Sequence, residues 1–348
     1  MSDSDANSGL GLYREAGVDI QKGEATVDWL KSTRDMPKSP FGEVLDGIGG
    51  FAGLFRPDLQ ALQKPVLVGA TDGVGTKIDL AIDNNVLEGI GQDLVAMCVN
   101  DLYTIGAVPL FFLDYYVTES LNENHFKTVI TSIKHGLKLA NTALLGGETA
   151  EHPGTFPKGR FDLAGFVVGM VDEEKILQPQ NVVAGDVLVG FPSSGFHSNG
   201  FSLLRKWLAA RPVPRETLMK LLTPTEIYGS LPKLIADHHS SVHSAAHITG
   251  GGLSGNVCRF LSDKTQAVIN LDKIPTPDWM NRFIADNNSS RAEVESVFNL
   301  GIGMVLAVKS SDLAAVDTTA RHLGMDPHVI GEVTQRKAVS DDPVVFEN

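Results

Sequence analysis

The stretch Pro65-Val-Leu-Val-Gly-Ala-Thr-Asp-Gly-Val-Gly-Thr-Lys77 decides how the rest of the chain is read. Residues 65–70 predict a short strand and residues 78–82 a helix, so a glycine loop joins a strand end to a helix start. Backbone N–H groups of a first helical turn point outward and favour an anion, phosphate above all. The order Gly75-Thr-Lys77 excludes a Walker A loop, which needs Lys before Thr, and the glycine spacing is not that of a dinucleotide fingerprint. Asp72 is the unusual member, because a carboxylate repels phosphate unless a cation intervenes. Mg²⁺ resolves the conflict, since it takes one or two protein carboxylates and leaves its other positions to water and phosphate. A tight turn in which Asp72 caps the following helix explains the same residues. On residue chemistry alone both readings stay open.

Outward from this loop the arrangement repeats. Glycine is 35 of 348 residues, about 10% against a usual ~7%. It falls in clusters at the ends of apolar segments: 47–53, 69–75, 146–147, 195–200, 250–252 and 301–303. The clusters have no fixed period, which excludes collagen and argues against a solenoid. Between them, strands are expected at 109–118, 143–145, 161–171, 186–191, 266–271, 301–308 and 328–333. Helices are expected at 122–141, 200–209, 226–237 and 312–323. Residues 89–106 form a further helix, apolar on nearly all sides and therefore buried. The length suits about two domains of ordinary size. The expected class is α+β, cut at the polar stretch 172–185 into residues 1–171 and 172–348.

Composition excludes whole classes of function. Hydrophobic residues are 43% and charged residues 20%, a globular balance. Lys plus Arg number 29 against 42 Asp plus Glu, a net −13, and no basic patch invites nucleic acid. No apolar run nears the ~20 residues that span a bilayer, and Met1 to Ser8 carries no signal-peptide pattern, so the expected location is cytoplasmic. Cys98 and Cys258 lie in apolar surroundings without zinc-site spacing and read as buried thiols.

Several polar groups break the apolar segments. Asp93 and Asn100 are seven apart on the buried helix, with Asp101 next; such a stripe must be paired, hydrogen-bonded or bound to metal. Asp101 offers a second carboxylate to the cation of Asp72, and Glu148, expected at a strand end, a third. Ser193-Ser-Gly-Phe-His-Ser-Asn-Gly200 is a second anion- or ribose-binding turn. Ser194 and His197 look like a nucleophile pair only superficially, without the Gly-x-Ser-x-Gly elbow. His247-Ile-Thr-Gly-Gly-Gly252 is a third glycine loop. His238, His239 and His243 read as surface imidazoles and His247 as the one facing a site. Several glycine turns with carboxylates on only some of them fit a nucleoside triphosphate with Mg²⁺ and a phosphorylated substrate, a chemistry of positioning and charge neutralisation.

Taken in order, Thr71-Asp-Gly-Val-Gly-Thr-Lys77, Asp93-Leu-Val-Ala-Met-Cys-Val-Asn-Asp-Leu102, Pro109-Leu-Phe-Phe-Leu-Asp-Tyr-Tyr116, Gly146-Gly-Glu-Thr-Ala-Glu151, the serine loop 193–200 and the loop 247–252 form a set. That set resembles the phosphoribosylformylglycinamidine cyclo-ligases, or aminoimidazole ribonucleotide synthetases, of de novo purine synthesis. The resemblance runs from Tyr13-Arg-Glu-Ala-Gly-Val-Asp19 to Gly331. It implies a two-domain ATP-binding synthetase fold, with an N-terminal ATP-binding and dimerisation domain and a C-terminal α/β substrate domain. It also implies a homodimer whose N-terminal halves pair strands into a barrel across the subunits. The implied reaction phosphorylates the formamide oxygen of formylglycinamidine ribonucleotide with ATP. A nitrogen of the amidine then attacks the iminophosphate, closing the imidazole ring and releasing phosphate.

Carried over by position, Asp72, Asp101 and Glu148 would hold Mg²⁺ against ATP. Lys31 and Lys77 would sit by its phosphates, with Gly73, Gly75, Thr76 and Asn100 beside them. Asp101, His197 and Lys31 would be the catalytic set. Ser193, Ser194, Gly195, Ser198 and Asn199, with His247, Thr249, Gly250, Gly251 and Gly252, would meet the ribonucleotide. The chain departs from the family pattern at Gly255-Asn-Val-Cys-Arg259, where the family has Glu-Asn-Ile-Pro-Arg. It departs again at Val294-Glu-Ser-Val297, where the family reads Met-(Phe or Tyr)-Arg-Thr. Relatives on the same fold are the alternatives: a thiamine-monophosphate kinase, a selenophosphate synthetase, the preceding amidotransferase, or a nucleotide-binding protein without turnover.

Overall fold

Strict alternation along 161–167 marks one strand: Phe161, Leu163 and Val167 are buried while Asp162 and Phe166 are exposed, as in a sheet with one covered face. The helical period is equally plain in the helix Glu123–Leu139, where Phe126, Val129, Ile130, Ile133 and Leu137 all turn inward. Asn122 starts that helix by accepting from the N–H groups of Asn124 and His125. The computed structural model describes residues 20–33, 35–46, 49–60 and 62–347. The opening of the resemblance, Tyr13 to Asp19, lies outside the described residues, as do Met1 to Ser8 and Gly47.

In chain order the strands are β1 (Gly42–Val44), β2 (Phe55–Pro57), β3 (Pro65–Gly73), β4 (Val108–Thr118), β5 (Ala143–Glu151), β6 (Phe161–Asp172), β7 (Asp186–Pro192), β8 (Val242–His247), β9 (Thr265–Asn270), β10 (Ile302–Lys309), β11 (His328–Gln335) and β12 (Val344–Glu347). β1 and β2 pair antiparallel. A four-stranded sheet runs β3-β6-β4-β5 and a six-stranded sheet β12-β9-β11-β7-β10-β8. β4 and β5 are parallel and joined through the helix Glu123–Leu139, the crossover that a parallel pair requires. The pairs of the larger sheet are antiparallel except β12 with β9. β10 lies between β7 and β8 and is buried from Ile302 to Val308, which explains its unbroken apolar run.

The described chain divides into two compact units. One takes the described residues ahead of Leu62 with 69–98 and 109–169, and the other takes 62–68, 99–108 and 170 onward. Strands and helices mix in both, so the class is α+β. Among the described residues no sheet closes into a barrel, and no helix is long and apolar enough to cross a membrane. Both cysteines are free thiols, Cys98 buried and Cys258 partly so.

Four elements differ from their sequence reading. β3 continues to Gly73 and β5 to Glu151, which puts Asp72 and Glu148 on strands and not in loops. Parallel pairing of β5 with β4 as far as Thr118–Glu151 overrides the glycine signal at 146–147. The buried helix is Ile90–Tyr103, shorter at both ends. The helix expected at 226–237 begins only at Leu231, since the backbone of Glu226 and Tyr228 is bound by side chains from elsewhere.

Candidate active site

The helix Ile90–Tyr103 carries Asp93 and Asn100 into the interior, and both find partners. Asp93 is fully buried and accepts from Lys77 Nζ at 2.9 Å, with Lys77 equally buried. Burial pushes the Lys77 ammonium below its ordinary range, and the Asp93 charge opposes that shift. The amine expected beside the phosphates is therefore enclosed in the protein interior. Thr76 stands at the start of the helix Lys77–Asn84 without capping it through its side chain. On β3, the Asp72 carboxylate is half-buried and accepts from the N–H of Gly73 at 2.7 Å.

Asn100 and Asp101 serve the second unit. Asn100 is fully buried, donates to the Glu226 carbonyl at 2.8 Å and accepts from the Tyr228 N–H at 3.2 Å. Asp101 Oδ1 lies 2.9 Å from His247 Nδ1, with 47% of the Asp101 side chain exposed and only 2% of His247. Asp101, His247, Thr249, Asn256 and Arg259 line a cavity of about 290 Å³ in this unit, closed by Ile105, Leu177 and Phe260.

The serine loop spends its hydroxyls on itself and its neighbours. Ser193 Oγ donates to the Gly195 carbonyl at 2.8 Å, Ser194 Oγ to the Pro224 carbonyl at 2.6 Å, and Ser198 Oγ pairs with Thr225 Oγ1 at 3.0 Å. His197 sits in the left-handed region at φ 58° and is fully buried. Its Nε2 faces the backbone N–H groups of Ser194 and Glu226 at 3.3 and 3.4 Å, so this nitrogen acts as an acceptor. Ser194 Oγ is thus committed to a carbonyl, and the pair is no nucleophile and base.

A residue that motif reading passed over organises the third loop. Asn256, 1% exposed, donates through Nδ2 to the carbonyls of Thr249, Gly250 and Gly252 and accepts from Thr249 Oγ1. Its signal was present as the Asn that the departing segment keeps. Gly252 has φ +59°, and a Cβ there would lie 1.7 Å from the Glu295 carbonyl oxygen. Asn199 borders the loop, with its Oδ1 3.7 Å from where a Gly250 Cβ would be. Segment 224–228 was also missed as part of the site. It joins the serine loop to Asn100, and Glu226 and Tyr228 line a further cavity of about 310 Å³.

The remaining candidates are more dispersed. Glu148 is exposed on β5, opposite Tyr115 of β4. Lys31 is exposed in the last turn of the helix Ile20–Ser32, beside Gly49. Among the described residues no three His, Cys, Asp or Glu side chains gather in readiness for a metal ion, and the ligands expected are the carboxylates of Asp72, Asp101 and Glu148. Their chemistry still suits Mg²⁺, a hard cation that enters with phosphate and needs few protein oxygens. The upstream histidines are not loose surface groups: His238 Nε2 meets Thr319 Oγ1 and His243 Nδ1 meets Asp186 Oδ2, both at 2.8 Å. On β4, burial raises the Asp114 carboxyl to about 7.

Comparison with known proteins finds two family domains in succession along the chain. Residues 57–171 match the family described as AIR synthase related protein, N-terminal domain, and residues 183–342 match its C-terminal domain. The fold is that of the two-domain proteins of the AIR synthase class. A phosphoribosylformylglycinamidine cyclo-ligase of Anaeromyxobacter dehalogenans is 44% identical over 330 residues, covering 92% of this chain and 95% of that protein. One from a Synechococcus species is 41% identical over 333 residues, covering 92% and 94%. The chain belongs to the phosphoribosylformylglycinamidine cyclo-ligase family. Solved structures extend the fold further: E. coli HypE at TM-score 0.68 and 19% identity, covering 94% of both chains. Thiamine-monophosphate kinase of Stenotrophomonas maltophilia follows at TM-score 0.64 and 18% identity, covering 94% and 95%.

Proposed function

We propose that this chain is an ATP-dependent cyclo-ligase that closes formylglycinamidine ribonucleotide to 5-aminoimidazole ribonucleotide in purine synthesis. The observation that carries the reading is 44% identity to a protein of that name along 95% of its length. In the proposed reaction, the formamide oxygen attacks the γ-phosphorus of ATP and ADP leaves. A nitrogen of the amidine then attacks the iminophosphate carbon, phosphate departs, and proton loss completes the imidazole. The chain's part is to hold two anionic ligands in register and keep water out, which needs no protein nucleophile. The committed Ser194 hydroxyl and the acceptor role of His197 Nε2 support that reading.

In this proposal Asp72, Asp101 and Glu148 are the oxygen ligands for Mg²⁺, which neutralises phosphate charge when bound. Gly73, Gly75 and Thr76 supply the phosphate turn, and Lys31 is the cation beside it. Asn199, Thr249 and the glycines 250–252 approach the ribonucleotide through backbone and amide groups. Residues 1–171 act as the ATP-binding and dimerisation domain and 172–348 as the substrate domain, in a cytoplasmic homodimer. Supporting the dimer are Leu67 on β3 and Phe166 on β6, large apolar side chains 69% and 46% exposed. The test is to incubate the protein with ATP, Mg²⁺ and formylglycinamidine ribonucleotide. One diazotisable aminoimidazole per ADP is expected; ADP without aminoimidazole, or neither product, refutes the assignment.

A further inference from the structure

Asn100 and Asp101 are consecutive on one helix, and each takes one ring nitrogen of His247. Backbone partners settle which way the Asn100 amide points. Its Nδ2 faces the Glu226 carbonyl, which can only accept, and its Oδ1 faces the Tyr228 N–H, which can only donate. The NH₂ group is therefore the end turned toward His247 Nε2, 3.4 Å away. A ring nitrogen facing an NH₂ must offer a lone pair, so the ring proton sits on Nδ1. From there it is donated to Asp101 Oδ1 at 2.9 Å.

From this geometry we propose that His247 is a positioning residue. It holds the Asp101 carboxylate in one orientation through an Nδ1–H that Asn100 selects, leaving the second carboxylate oxygen for its ligand. Both ring nitrogens are engaged, so His247 neither contacts the ribonucleotide through them nor moves a proton. Asn100 likewise positions and does not bind phosphate, since both ends of its buried amide are occupied. The choice of Mg²⁺–ATP as the ligand of Asp101 rests on the function proposed above; the tautomer does not.

The first test is a two-bond ¹H–¹⁵N correlation spectrum of the full-length protein labelled in histidine, at about pH 8, where an imidazole is ordinarily uncharged. The His247 signals, assigned by their loss in His247→Asn, are expected to show the Nδ1–H pattern. An Nε2–H pattern, or an average of the two, overturns the proposal. The second test separates the two nitrogens by kinetics. His247→Asn keeps an N–H donor near the Nδ1 position, whereas His247→Gln reaches the Nε2 position. His247→Gln is expected to raise KM for Mg²⁺–ATP by about 10- to 100-fold, with His247→Asn affected several-fold less. Equal loss in both variants overturns the positioning role. An Nδ1–H spectrum with unchanged Mg²⁺–ATP kinetics in both variants removes Asp101 from the Mg²⁺–ATP site while leaving the tautomer assignment standing.

Discussion

Replacing Asp114 by Asn is expected to stabilise the first unit in a way that depends on pH with a calculable sign. Asp114 lies on β4 opposite Gly147 of β5, with its carboxylate so close that a Cβ on Gly147 would lie 2.4 Å from Oδ1. Burial raises its carboxyl from an ordinary 3.8 to about 7, against a weaker opposing backbone hydrogen bond. Between those values the folded chain keeps a proton that the unfolded chain has lost. Stability from this group is therefore fully present below about pH 4 and lost as pH rises through about 7. The displacement corresponds to about 4 kcal/mol. The amide introduced by Asp114→Asn carries no such proton, so the stability difference between the variant and the parent should shift by about 4 kcal/mol in favour of the variant between pH 4 and pH 8. Urea unfolding at intervals across that range measures it, read from Trp29 fluorescence with Trp207 and Trp279 replaced by Phe in both proteins. Effects of other titrating groups cancel in the difference. A difference that stays constant within about 1 kcal/mol would show that the carboxyl ionises normally and that its burial carries no electrostatic cost.

Three further outcomes follow from the same structure. Lys77→Met should cost about 3–5 kcal/mol by stranding the Asp93 charge, and adding Asp93→Leu should recover most of it; equilibrium unfolding in which the two losses simply add excludes a coupled pair. Gly252→Ala should abolish the 249–252 loop conformation, because its Cβ meets the Glu295 carbonyl at 1.7 Å in a left-handed backbone, and loss of both soluble protein and activity is expected; wild-type yield and turnover count against the geometry. Asp101→Asn should reduce turnover and weaken the dependence on Mg²⁺ with the circular dichroism spectrum unchanged, while an unaltered Mg²⁺ titration removes Asp101 from the cation site.

Local patterns carried the elements well wherever one period dominated. The helix Glu123–Leu139 and the strands β4 and β6 lie within a residue or two of their expected ends. Periodicity failed where a partner overrode it. Glycines at 146–147 suggested a strand end, yet parallel pairing with β4 carries β5 on to Glu151. The helix expected from residue 226 starts later: Asn100 binds the Glu226 carbonyl and the Tyr228 N–H, Gly229 favours a turn, and Pro232 falls in the first turn of the helix that does form.

The polar stripe on the buried helix shows where each kind of knowledge stops. That Asp93 and Asn100 needed partners followed from spacing and burial alone, because an apolar helix cannot leave such groups unpaired. Which partners they took did not follow. Lys77 reached Asp93 across 16 residues, and Asn100 reached His247 across 147, distances at which no local pattern constrains a side chain. The sequence by itself determined the class of fold and which buried polar groups needed partners, since these depend on residue type and near spacing. Only the tertiary structure decided that Lys77 is an interior cation, that the Ser194 hydroxyl is committed to the Pro224 carbonyl, and that Asn256 shapes the third loop. Each of those depends on which distant group closes over a donor or an acceptor, and that is settled by packing.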